Sequence, residues 1–81
     1  MSKKLDKKEQ DKIVFMYTRK IDETDVDILK LYSEGDLMKQ VCDKIYLSEG
    51  AVKTRKKKII KNLDAKTFLQ AAVIAAREGI I

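Results

Sequence analysis

The chain has no histidine, no proline and no tryptophan, and only one cysteine and three glycines among its 81 residues. Each scarcity excludes something. With no histidine and Cys42 alone, no Cys/His metal set can be assembled and no internal disulfide can close. The commonest general base is also missing. The three serines, Ser2, Ser33 and Ser48, have no base partner in view, and no glycine-rich phosphate loop exists. We therefore expect neither an enzyme nor a bound cofactor, and no small-molecule ligand is evident. The lack of proline, with little strict alternation of apolar and polar residues, points to an all-α chain. No apolar run approaches ~18 residues, so no membrane span is expected. No apolar signal core follows Met1-Ser2-Lys3-Lys4, and the expected location is cytoplasmic, with the nucleoid. Three tyrosines and two phenylalanines make a poor stacking platform for single-stranded RNA.

What is present is charge on a modest apolar frame. Apolar residues are 44% and charged residues 38%, with a net charge of +5. That balance fits one small helical domain with a polyanionic partner. The charge is concentrated. Lys53, Arg55, Lys56, Lys57, Lys58 and Lys61 fall within nine residues, interrupted by Val52, Ile59, Ile60 and Leu63 at helical spacing. At about 100° per residue, Val52, Ile59 and Leu63 share one side, and Lys53, Thr54, Lys57, Lys58 and Lys61 share the other. A rod with a basic front and an apolar back fits the major groove of a duplex. Lys56 lies nearer the apolar side and must run its stem outward.

The rest of the chain frames that helix. Residues 1–20 read as a basic arm followed by a helix from about Lys7 to Arg19, with a short strand over Ile13–Tyr17 as the alternative, and that stretch would cover Val26. Asp22 and Asp25 have the spacing of a capping box before a helix that stops near Gly35. Asp36 is the next cap candidate, ahead of a stripe of Leu37, Met38, Val41, Cys42 and Ile45. Leu47 should plug the core, and Ser48 should cap the basic helix, about residues 49–62. Gly50 would allow close helix approach, and Asp64 would reverse the chain. Thr67 and Gln70 form a second capping box, opening a helix of about Phe68–Glu78 with two apolar sides. One side belongs to the core. The other would meet a second subunit.

Residues 21–81 resemble the LuxR/GerE-type helix-turn-helix domain of bacterial transcription regulators. The resemblance rests on Ile28-Leu29-x-Leu31, Gly35, Lys39, Val41, Ile45, Leu47-Ser48-Glu49-Gly50-Ala51-Val52-Lys53, Ile59-Ile60-x-x-Leu63 and Gln70-Ala71-Ala72-Val73. It implies a four-helix bundle, here with an extra N-terminal helix or arm, in a stand-alone regulator. It implies sequence-specific binding to double-stranded DNA, with Lys53, Thr54 and Lys57 at base edges. Lys39, Ser48, Lys58 and Lys61 would face phosphates, and Arg55 and Lys56, which replace the family's usual pair, would add phosphate contacts. It further implies a homodimer through the last helix, assigned to Phe68, Ala71, Ile74, Ala75 and Glu78. RNA polymerase is a further expected partner only if the chain acts as a protein-interaction module. Two alternatives stand beside this: a non-specific nucleic-acid-binding accessory protein, and a protein-interaction module that docks through Ile13–Tyr17.

Overall fold

The computed structural model describes residues 5–81, so the first four residues of the expected N-terminal arm lie outside the described residues. Five helices and no strands make up the described chain: α1 (Lys7–Arg19), α2 (Glu23–Ser33), α3 (Met38–Ile45), α4 (Glu49–Asn62) and α5 (Phe68–Arg77). Ile28, Leu29, Val41, Val52, Ile59, Leu63, Ala71 and Ala75 form the buried centre, drawn from α2 to α5. α1 contributes no buried residue and leans on the bundle through Phe15 and Met16.

Side-chain caps begin most of these helices. Asp6, Ser48 and Thr67 accept hydrogen bonds from the backbone N–H three residues on, at 2.7, 3.1 and 3.1 Å. Asp22 and Asp25 form the reciprocal box, the Asp25 N–H donating at 2.9 Å and the Asp22 N–H at 3.2 Å. Two expected caps differ. Asp36 does not cap α3 but pairs with Lys44 at 2.7 Å, and the cap position falls on Leu37. There Gln40 Oε1 takes the Leu37 N–H at 2.7 Å in place of a side-chain cap. Because Leu37 has extended backbone, it leaves the helical stripe and is exposed. Gln70 reaches back to the N–H of Lys66, at 2.6 Å, rather than to that of Thr67.

All five helices end alike. Lys20, Gly35, Tyr46, Asp64 and Gly79 take positive φ values of 57, 99, 57, 55 and 73°. The N–H of the next residue then donates to the carbonyl five residues back, closing the last turn: Ile21 to Met16, Asp36 to Leu31, Leu47 to Cys42, Ala65 to Ile60 and Ile80 to Ala75, at 2.9–3.2 Å. In four of the five the residue so turned back is apolar, and Ile21 and Ile80 are buried. Four of the five helix ends therefore supply the core as well as a stop. Gly50 does not serve a close approach: a Cβ placed on it would have nothing nearer than Ser48 Oγ at 4.0 Å.

Tyr46 stands out among these positions, since a bulky side chain with positive φ is disfavoured and the residue is 91% exposed. Tyr46→Gly removes a steric penalty without removing a buried contact. We expect it to stabilise the fold by about 1 kcal/mol, read as a higher urea midpoint at unchanged slope. A lower midpoint would show that the ring holds the turn.

Candidate nucleic-acid interface

α3, the turn Tyr46–Ser48 and α4 form a helix, a tight turn and a second helix. Val52 and Ile59 are buried on α4, and Leu63 is buried just past its end. That fixes which way α4 faces. Lys53, Thr54, Lys57, Lys58 and Lys61 are exposed along the opposite side, joined by Gly50 at the first turn. Lys39 on α3 and Ser48 at the α4 cap are also exposed. Thr54 Oγ1 donates to the Gly50 carbonyl at 3.0 Å, which turns its methyl group free of that bond. A shallow depression of about 310 Å³ lies between Lys53, Lys56, Lys57, Ile60 and Phe68, where the basic face meets α5.

Two of the expected phosphate contacts are engaged within the protein. Arg55 Nη1 sits 3.1 Å from Asp22 and 3.2 Å from Asp25, and its side chain is one-third exposed. The Lys56 ammonium lies 4.5 Å above the Tyr32 ring and 4.9 Å above the Phe68 ring. Those rings meet edge to face with centroids 5.2 Å apart. Lys56 thus does run outward from the apolar side, but it stops in an aromatic clamp, where cation–π attraction holds it. Lys58 is shared: its ammonium is 3.5 Å from Asp25 and still about half exposed. Among the described residues, Lys39, Lys53, Lys57 and Lys61 have no such engagement.

Asp25 is the hub of this arrangement. Its side chain is 0% exposed, yet it accepts from the Asp22 N–H and faces both Arg55 and Lys58. A buried carboxylate without such partners would be costly. No buried side-chain polar atom among the described residues lacks a hydrogen-bond partner. Burial pushes the Asp22 carboxyl up, but the Asp25 N–H and the Arg55 guanidinium outweigh it and hold it below the usual carboxylate range. The same bonds from Asp22 and Asp25 raise Arg55. The first turn of α2 therefore clasps the middle of α4. At the far end, Asn62 Nδ2 donates to the Lys20 carbonyl at 3.1 Å, tying α4 to the joint between α1 and α2. The sequence held a signal for the clasp: two carboxylates three apart on α2 face two cations three apart on α4.

Two of the expected subunit contacts on α5, Ala71 and Ala75, need correction. Ala71 and Ala75 are 0% exposed inside the bundle, and Phe68 is half-buried against Tyr32 and Lys56. Ile74 is half-buried, and Glu78 lies exposed past the end of α5. The outward apolar side is instead Leu69, 75% exposed, with Val73 and Ala76. The small alanines face inward because they let α5 approach α2 and α4 closely.

Over 56 residues the chain is 41% identical to the HTH-type transcriptional regulator AlkS of Pseudomonas putida. The matched stretch makes up 69% of this chain but 6% of that protein, so the chain spans only a small part of its relative's length. No family model and no solved structure matches the chain. Among the described residues no helix is long and apolar enough to cross a membrane.

The clasp generates a stability test. Arg55→Met leaves Asp25 buried with Lys58 as its remaining cation, and we expect a loss of about 2–3 kcal/mol in urea unfolding. Asp22 is held low in the fold, so its contribution is complete above its ordinary value of 3.8 and is lost as pH falls through its folded value. The urea midpoint should stay level from about pH 7 to 5 and drop below about pH 4. In Arg55→Met that acid drop should shrink, and an unchanged drop would remove Arg55 from its cause.

Proposed function

We propose that the chain is a sequence-specific double-stranded DNA-binding transcription regulator of the LuxR/GerE type, with α4 seated in the major groove. One observation carries this reading: α4 has its apolar side anchored in the core and its exposed side cationic from Lys53 to Lys61. Its inward cations are already engaged by Asp22, Asp25 and two aromatic rings. The name of the partly matching relative, a helix-turn-helix transcriptional regulator, supports the same reading. A helix of this width enters the major groove of B-form DNA, which is about 12 Å across.

On this reading Lys53 and Lys57 donate to guanine O6 and N7, and the Thr54 methyl meets a thymine methyl. Lys39, Lys58 and Lys61 neutralise phosphates and release counterions, and the Ser48 hydroxyl donates to a phosphate oxygen. Gly50 on the outward side lets the duplex come close to the α4 backbone. Arg55 and Lys56 act indirectly, by fixing the helix that carries the others. A homodimer would use Leu69, Val73 and Ala76, and would read two symmetric half-sites about one helical turn apart. A nucleoid location follows from a DNA partner.

The test is selection from random genomic fragments followed by sequencing. We expect an enriched motif with two-fold symmetry, while salt-sensitive but sequence-blind recovery would overturn specificity and no recovery would overturn DNA binding. On the selected site, Lys53→Ala should cost ~1–3 kcal/mol and relax one base position. Lys61→Ala should weaken all sequences alike and make the salt dependence shallower by about one phosphate. Gel shifts over a salt series read both.

A further inference from the structure

The side of α2 turned away from α4 borders a groove of about 320 Å³ whose other wall is α1. Its floor is apolar, built from Ile13 and Met16 of α1 and Val26 of α2. Its rim is acidic, with Glu9, Glu23 and Asp27 against the single cation Lys12. None of those three carboxylates has an ion-pair partner among the described residues. The apolar floor continues onto the open side of α1, where Ile13 is half exposed and Tyr17 is 86% exposed. α1 has 13 residues and buries none of them. A helix of that length is marginal on its own in water, so it gains from any partner laid along it.

We propose that this groove docks an amphipathic helix of a partner protein, one whose apolar stripe is flanked by lysine or arginine. Apolar anchors at successive turns of such a helix fit the line of Ile13, Met16 and Val26, as in other helix-in-groove recognition. The acidic rim then meets the basic flanks. Charge also selects the location. On a chain of net charge +5, the lysine face of α4 repels a basic helix and the groove attracts it, while the rim repels an acidic helix or a nucleic acid. At 1.5 Å per residue, α1 offers a wall roughly 20 Å long, matched by a partner of about three to four turns. Glu23, Val26 and Asp27 lie roughly 100–160° around α2 from Asp25. The occupant therefore sits on the far side of α2 from the α4 clasp. The site is independent of the DNA reading and would stand if that reading fell.

The probe is a synthetic helical peptide of roughly four turns, with leucines spaced three and four apart and lysines on both flanks. Its twin carries glutamate in place of every lysine. Each is titrated into the ¹⁵N-labelled full chain and followed by amide shifts. We expect saturable shifts from the lysine peptide, confined to residues 9–17 and 23–27, and none from the glutamate peptide. E23K/D27K should weaken binding at least about tenfold with unchanged circular dichroism. Should the charge reversal lower helicity, Ile13→Ser, at an exposed position, carries the same expectation. The proposal is overturned if the lysine peptide fails to saturate, if its shifts scatter over the bundle, or if a folded variant binds as well as the parent chain.

Discussion

Two aspartates hold this molecule in register. Asp22 and Asp25 close the first turn of α2 by capping each other's backbone, and the same two carboxylates grip Arg55 and Lys58 on α4. One turn of chain thereby starts a helix and orients another. The burial of Asp25 makes the coupling strict. A carboxylate withdrawn from water keeps its charge only while hydrogen bonds and cations surround it. Any rotation of α4 that withdrew Arg55 would leave that charge exposed to a low-dielectric core. Apolar contacts from Val52 and Ile59 set the depth of α4, and the ionic clasp sets its rotation.

This division explains how so basic a helix can be packed into the bundle and still present cations to water. Charge alone would make α4 repel itself and fray from its neighbours. The fold neutralises the cations nearest the bundle and leaves the outer ones in water. Arg55 is satisfied by carboxylates and Lys56 by the faces of Tyr32 and Phe68. Lys53, Lys57 and Lys61 remain outside, on a helix anchored by the core and the clasp. The groove between α1 and α2 carries the opposite charge, with Glu9, Glu23 and Asp27 on its rim against Lys12.

Much of this was legible in the residues before any coordinates. The bounds of α1, α4 and the start of α5, the Asp22–Asp25 box, the Ser48 cap and the reversal at Asp64 all follow from local chemistry. So does the split of α4 into a buried and a charged side. Local rules failed where they had to choose among neighbours. Asp36 could have capped α3, yet Lys44 lay within reach and the cap position moved one residue on. Leu37 belonged to the stripe only if the helix began before it. Gln70 had two N–H groups available and took the earlier one. α5 offered two apolar sides, and a helical wheel has no means of ranking them.

The sequence by itself determined the helices, their ends and the face of α4 that must be wet, because those depend on hydrogen bonds and spacings within a few residues. Only the tertiary structure decided which cations are engaged and which remain in water, since that depends on groups some thirty residues apart, such as Arg55 and Asp25. It also decided which side of α5 lies inside. Ala71 and Ala75 face inward because helices close to the distance their smallest side chains permit, and that distance exists only once the partner helices are in place.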